Sequence, residues 1–233
     1  MQVNGLIVAA GKGNRMGGGE PKAFLLLNGR PMLLHTLSRF SGSRFVKRVV
    51  IVTAPEEVEK CQQLIESDLS LRGLNCRVCA GGVRRQDSVA LGLAHLDKDC
   101  DVVVIHDGAR PFVSAGLIDR CVEEALQGNC VVTGVQVQDT IKVVSDDRRI
   151  RETPPRENLW SIQTPQVFPL KIIREAHLQG KRSGIEATDD AMLVEKLGIV
   201  VTVLEGDRSN IKVTYPHDLV FAEMLLSSGK LPS

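Results

Sequence analysis

Hydrophobic positions along this chain fall into two alternating kinds of segment. Short apolar runs rich in β-branched residues occur at Leu6–Ala10, Arg48–Thr53, Cys76–Cys79, Val102–His106 and Val131–Val137. Runs of this length and composition predict strands buried on both faces of a sheet. Between them, Met32–Phe40, Pro55–Asp68, Asp87–Leu96 and Ala115–Leu126 space their apolar residues as helices do. Strand and helix alternating in this way imply parallel strands joined by crossover helices. The pattern changes at Thr140–Val144 and Ile150–Thr153, two short stretches around the charged turn Ser145–Arg149, which predict a β-hairpin arm standing off the sheet. Helices at Pro169–His177 and Asp189–Leu197, a strand at Val200–Leu204 and a helix at Pro216–Leu226 then resume the alternation. The expected fold class is α/β: one domain over 1–233, a mostly parallel Rossmann-like sheet flanked by helices, with an arm at about 137–156.

Composition narrows the function classes. With 43% hydrophobic residues in 233, the chain can fill a sizeable core without disulfides or metal. Lys and Arg number 29 against 28 Asp and Glu, a net charge of +1 that provides no global field for nucleic acid or anionic membrane. Aromatic residues make up only 3%, too few for base-stacking platforms, so no nucleic-acid partner is expected. No apolar run approaches the roughly 20 residues that span a bilayer, so no membrane role is expected either. The first apolar stretch lacks a basic leader and runs into a glycine loop, which leaves nothing to mark the chain for export. Six scattered cysteines, mostly in apolar stretches, fit a reducing, cytoplasmic compartment.

Three segments carry candidate chemistry. In Leu6-Ile-Val-Ala-Ala-Gly-Lys-Gly-Asn-Arg-Met-Gly-Gly-Gly-Glu-Pro-Lys22, a strand opens into a loop holding five glycines and three cations. Glycines let backbone amides converge on an anion, and Lys12, Arg15 and Lys22 can balance a polyphosphate. A dinucleotide fingerprint fails because Met16 stands where the third glycine belongs, and Walker spacing fails because Gly13 follows Lys12. The plain alternative is a glycine-rich turn with solvated charges. A second glycine turn, Gly81-Gly82-Val-Arg-Arg-Gln-Asp-Ser88, opens a helix and can hold a base or ribose, or serve simply as a capped strand-to-helix turn. Third, Val102-Val-Val-Ile-His-Asp107-Gly-Ala-Arg110-Pro111 ends a strand in an acid and an arginine. Ligands of open α/β sheets bind beyond the carboxyl ends of strands, where Asp107 can take Mg²⁺ or another divalent cation together with phosphates. The alternative for Asp107 is a cap.

Other residues have plainer readings. Cys76 and Cys79 lie three apart on a strand and so face opposite ways, which argues against zinc. His106 should point away from Asp107 and pack. Trp160 reads as core or interface, and Thr188-Asp189-Asp190 as a helix N-cap, with a functional role for Asp189 left open.

Together with Val137-Gln-Asp-Thr140-Ile-Lys142, Gln163-Thr164-Pro-Gln166 and Asn210-Ile-Lys212-Val-Thr214, these three segments resemble the 2-C-methyl-D-erythritol 4-phosphate cytidylyltransferase family over nearly the whole chain. The resemblance implies that CTP and methylerythritol phosphate are the substrates, and that the products are the CDP-linked methylerythritol and pyrophosphate of the non-mevalonate isoprenoid route. It implies that Ala9, Ala10, Gly11 and Gly13 line the nucleotide by their backbone, that Gly82 and Ser88 hold cytosine and ribose, and that Arg15 and Lys22 grip phosphates. Asp107 would bind Mg²⁺, with Arg110 and Lys212 beside the transferred group. Thr140, Arg156 and Thr164 would touch methylerythritol phosphate from the arm region of a partner subunit, which implies a homodimer. One departure is Val83, whose side chain cannot hydrogen-bond a ribose, and Asp207 receives no role. The nearest alternatives are a cytidylyltransferase for another polyol phosphate such as ribitol 5-phosphate, and a catalytically silent nucleotide-binding protein.

Overall fold

The computed structural model describes residues 1–11, 13 and 21–229. In chain order its elements are β1 (Gln2–Val8), β2 (Leu26–Leu27), β3 (Arg30–Pro31), α1 (Met32–Ser41), β4 (Val46–Thr53), α2 (Val58–Ser67), β5 (Asn75–Ala80), α3 (Arg85–Ala94), β6 (Cys100–Asp107) and α4 (Ala115–Leu126). They continue with β7 (Cys130–Gln136), β8 (Val143–Val144), β9 (Ile150–Glu152), β10 (Trp160–Pro169), α5 (Leu170–Arg182), α6 (Asp190–Glu195), β11 (Val201–Glu205) and α7 (Pro216–Ser227). Seven strands form one sheet in the order β11-β7-β10-β6-β1-β4-β5. Strands β5, β4, β1 and β6 run parallel, and β11 runs parallel to β7. Only β10 is antiparallel to its neighbours β6 and β7. The fold is thus a single α/β domain with a mostly parallel sheet, as the alternation predicts.

Strand alternation divides the core. Ile7, Val49, Ile51, Val102 and Val104 join the face covered by α1, α2 and α4, while Leu6, Val50, Val52, Val103 and Ile105 join the face covered by α3, α5 and α6. Cys76 packs on the first face and Cys79 on the second, as their spacing requires. A third cluster of Leu27, Met32, Phe112, Val213 and Ala222 seats α7 and the β2–β3 ribbon.

One strand has no counterpart in the sequence reading. The stretch before Pro169 has no apolar signature because Gln163, Thr164 and Gln166 are polar and Pro165 lacks a ladder donor, yet it forms β10 in the middle of the sheet with all three polar side chains buried. Trp160, at the start of β10, is 38% exposed, which excludes the core half of its core-or-interface reading. The hairpin arm is present, but its ladder is confined to β8 and β9.

β6 and β10 meet through a buried polar contact. His106 Nε2 lies 3.0 Å from the Arg110 carbonyl, an acceptor only, so Nε2 donates there. Its Nδ1 then accepts from the Thr164 hydroxyl at 2.9 Å. Burial pushes the ring down to about 4, which keeps it neutral and preserves this pattern.

Two outcomes follow. A Cβ on Gly92 of α3 would lie 2.6 Å from Val52 Cγ2 and 2.9 Å from Leu6 Cδ1. Gly92→Ala should therefore lower the unfolding free energy by about 1–2 kcal/mol in urea titration, because overpacking outweighs the roughly 1 kcal/mol gain in helix propensity. Neutral or improved stability would mean that α3 packs loosely. For His106, the unfolded ring binds a proton near pH 6.5 and the folded ring only near 4. Stability present above about pH 6.5 should fall as pH drops toward 4, by at most about 1.4 kcal/mol per unit from this group. The urea midpoint of His106→Gln should fall less over that window than that of the wild type; equal falls would dismiss His106 as the source.

Candidate active site

Strand order reverses at β1, with β4 on one side and β6 on the other, so a crevice opens at their carboxyl ends. In register, Val8 of β1 stands beside Val52 of β4 and Asp107 of β6. Backbone hydrogen bonds pin the exits: Ala9 N–H to the Val52 carbonyl at 2.7 Å, Gly81 N–H to Thr53 at 2.7 Å, and Gly108 N–H to Val8 at 2.9 Å. The crevice is a cleft of about 940 Å³.

Ala9, Ala10, Gly11 and Gly13 line this cleft, together with Lys22, Gly82, Ser88, Asp107 and Lys212. These residues come from four chain segments, and the sequence reading expected all of them. Arg15 and Lys12 lie outside the described residues. β1 ends at Val8, so Ala9 and Ala10 belong to the loop and not to the strand.

The second glycine turn is closely built. Ser88, buried at the first turn of α3, accepts from Gly82 N–H at 3.1 Å and donates to the Arg84 carbonyl at 3.1 Å. A Cβ on Gly81 would lie 2.8 Å from both Ala10 Cβ and Ser88 Oγ, so glycine lets the two glycine loops touch. Val83 is fully exposed at the cleft rim.

Asp107 is the electrostatic centre. Lys212 Nζ lies 2.7 Å from Oδ2, Arg85 Nε 3.1 Å from Oδ1, and Arg110 Nε 3.9 Å from Oδ2. Burial alone would push its carboxyl up, but Arg85, Lys212 and Arg110 outweigh that and hold it below the usual carboxylate range. Burial conversely lowers the Arg110 guanidinium from its ordinary value. Arg110 also donates to the Asn210 carbonyl at 2.7 Å. Lys22, in the cleft lining, donates to the Thr214 carbonyl at 2.9 Å. Val213 N–H bonds the Ala109 carbonyl at 2.9 Å, so the segment carrying Lys212 is laid beside the end of β6.

Thr164 departs from expectation. It sits on β10 within the same chain, not in the arm, and its hydroxyl accepts from Asp107 N–H at 3.1 Å. Its buried side chain holds the Asp107 amide and does not line the cleft of its own chain. Thr140 and Arg156 are exposed in the arm region and do not line the cleft of their own chain. Asp189 caps α6 by accepting from Met192 N–H at 3.0 Å, as expected of an N-cap. Asp207 accepts from the Ser209 amide at 2.7 Å and hydroxyl at 2.6 Å, a local turn.

Two functional neighbours had no sequence signal. Arg85 stands inside the second glycine turn, which reads as a base or ribose contact or as a plain capped turn with no role for Arg85, and Asp190 inside a helix start. In the fold Arg85 is half-buried against Asp107, and Asp190 is buried against Arg85.

Comparison with known proteins agrees with this geometry. A family model described as 2-C-methyl-D-erythritol 4-phosphate cytidylyltransferase matches residues 3–228. Relatives of that name from Caldanaerobacter subterraneus subsp. tengcongensis and Geotalea uraniireducens are 42% and 43% identical, over 97% and 98% of this chain and 99% and 98% of their own lengths. Among solved structures, the 4-diphosphocytidyl-2C-methyl-D-erythritol synthase of Anaerococcus prevotii superposes with a TM-score of 0.87 at 29% identity, covering 97% of this chain and 96% of the other. The Thermus thermophilus 2-C-methyl-D-erythritol 4-phosphate cytidylyltransferase gives 0.79 at 37%, covering 97% and 100%. With a family model matched over residues 3–228 and relatives more than 40% identical over nearly the full length, the chain belongs to the 2-C-methyl-D-erythritol 4-phosphate cytidylyltransferase family.

Proposed function

We infer that the cleft transfers CMP from CTP to 2-C-methyl-D-erythritol 4-phosphate, giving 4-diphosphocytidyl-2-C-methyl-D-erythritol and pyrophosphate in the non-mevalonate isoprenoid pathway. The family match over residues 3–228 carries this reading. The attacking phosphate oxygen forms a bond to the α-phosphorus as the bond to the β-phosphate bridge breaks. No protein base is required, because a phosphate monoester is already largely ionised at neutral pH. Two anions must instead be brought together, and positioning with fixed positive charge does most of this work. Lys22, held on the Thr214 carbonyl, and Lys212, held on Asp107, line the cleft with their ammonium groups, Arg110 supports its floor, and Arg15 follows from the family pattern. Gly82, Ser88 and the backbone of Ala9, Ala10, Gly11 and Gly13 take the nucleotide. A ribitol 5-phosphate acceptor would use the same chemistry, but the relatives' names favour methylerythritol phosphate.

Three further parts belong to the proposal. A single carboxylate facing a phosphate site suits Mg²⁺ shared with substrate phosphates better than a resident metal, since no cluster of three acidic, histidine or cysteine ligands exists among the described residues. Asp107 would hold that ion, which when bound neutralises phosphate charge. The arm exposes Ile141, Val143, Val144 and Ile150, and Trp160 and Ile162 follow on β10, an apolar surface suited to a second copy. A homodimer would bring Thr140 and Arg156 of one copy to the cleft of the other. The six cysteines are all free, which suits the cytoplasm, and no helix among the described residues is long and apolar enough to cross a membrane.

The deciding assay is pyrophosphate release from each nucleoside triphosphate with methylerythritol phosphate or ribitol phosphate as acceptor. Release confined to CTP with methylerythritol phosphate is expected; release with ribitol phosphate alone would change the pathway. Lys22→Ala should lower kcat by about a hundredfold or more, the scale for removing one preorganised donor. Unchanged turnover would take Lys22 out of the mechanism. Arg156→Ala should raise KM for methylerythritol phosphate more than for CTP, and equal effects on both would refute its placement at the acceptor phosphate.

A further inference from the structure

Arg85 serves two carboxylates that lie far apart in sequence. Its Nε is 3.1 Å from Asp107 Oδ1 and its Nη1 2.8 Å from Asp190 Oδ2. Asp190 opens α6, and its side chain is 1% exposed. Its other oxygen, Oδ1, accepts from His177 Nε2 of α5 at 3.1 Å. The amides of Asp190 and Ala191 donate to Gln166 Oε1 at 3.1 and 3.2 Å, and Gln166 Nε2 donates to Asp189 Oδ2 at 2.8 Å. Gln166 is two residues along β10 from Thr164, which holds the Asp107 amide. The side chain of Asp107 is therefore tied through Arg85 to α6, and its backbone to β10.

This arrangement answers a difficulty in the cleft. An arginine beside a polyphosphate site has every reason to turn to the phosphates, whose oxygens match its fork. Arg85 already spends one arm of that fork on a carboxylate that cannot move, because α5, α6 and β10 all grip it. Lysine could not substitute, since a point charge cannot span two carboxylates in fixed geometry.

Resting on the activity inferred above, we propose that Arg85 is a positioning residue for the transfer, and that Asp190, braced by His177 and Gln166, is the anchor that keeps Arg85 on Asp107 when nucleotide phosphates enter. Asp107 keeps its place opposite Lys212, and the charge facing the α-phosphate is set by the fold and not by the ligand.

The test compares wild type, Asp190→Asn, Arg85→Lys, Arg85→Gln and the double variant Arg85→Gln/Asp190→Asn, by kcat, KM for each substrate and thermal midpoint. Wild type is assayed first, so failure of the reaction itself is seen before any variant is read. Asp190→Asn is expected to lower kcat at least tenfold while KM for CTP stays within twofold or falls, as the released guanidinium reaches the phosphates. Arg85→Lys should lose a similar factor despite keeping its charge. The double variant should be no slower than Arg85→Gln alone, because the anchor acts only through Arg85. Turnover at the wild-type level in Arg85→Lys overturns the proposal even if Asp190→Asn fails to fold. So does a double variant in which the two losses multiply in full, or a kcat loss that only tracks a lowered thermal midpoint.

Discussion

Everything in the cleft depends on keeping one buried carboxylate charged. Asp107 sits at the end of a central strand with only 10% of its side chain exposed, where an isolated carboxylate would cost far more than a domain of this size can spare. It is tolerated because Arg85, Arg110 and Lys212 converge on it from α3, from its own turn and from the segment before α7. Those three elements must therefore meet at the end of β6, and the sheet order makes this possible. The parallel strands β4, β1 and β6 all point their carboxyl ends one way, so the glycine loop, the α3 turn and Asp107 share one rim.

The same charges explain why this cleft suits polyphosphate. Two carboxylates, Asp107 and Asp190, among the three cations Arg85, Arg110 and Lys212 leave one surplus positive charge beside the cleft, and Lys22 adds to it from the cleft lining. Neutral His106 beneath the site contributes hydrogen bonds without charge, so it orients the Thr164 hydroxyl and leaves the balance unchanged. Such preorganised groups need no rearrangement as charge develops on the phosphates.

Legibility in the sequence was uneven for identifiable reasons. The parallel strands announced themselves because both their faces are buried, so Val102 to Ile105 read as a continuous apolar run. The glycine loops and Asp107 stood out because phosphate sites use few residue types. β10 was invisible because its buried positions are polar and serve the site: Gln163, Thr164 and Gln166 are satisfied by Asp207, His106 and Asp189, partners that no local window contains. Thr164 was tied to the arm of a partner copy, whereas it lies under Asp107 of its own chain.

What the sequence by itself determined is therefore the periodicity of burial, and with it the α/β class, the stand-off arm and the chemical character of the loops. Hydrophobic spacing and glycine content act over a few residues, and a linear reading captures them. The pairing of Arg85 with Asp107 and Asp190, 22 and 105 positions away, was decided only in three dimensions. Charge interactions depend on distance through space, and nothing in a polar stretch shows which of its ions the fold will bury together.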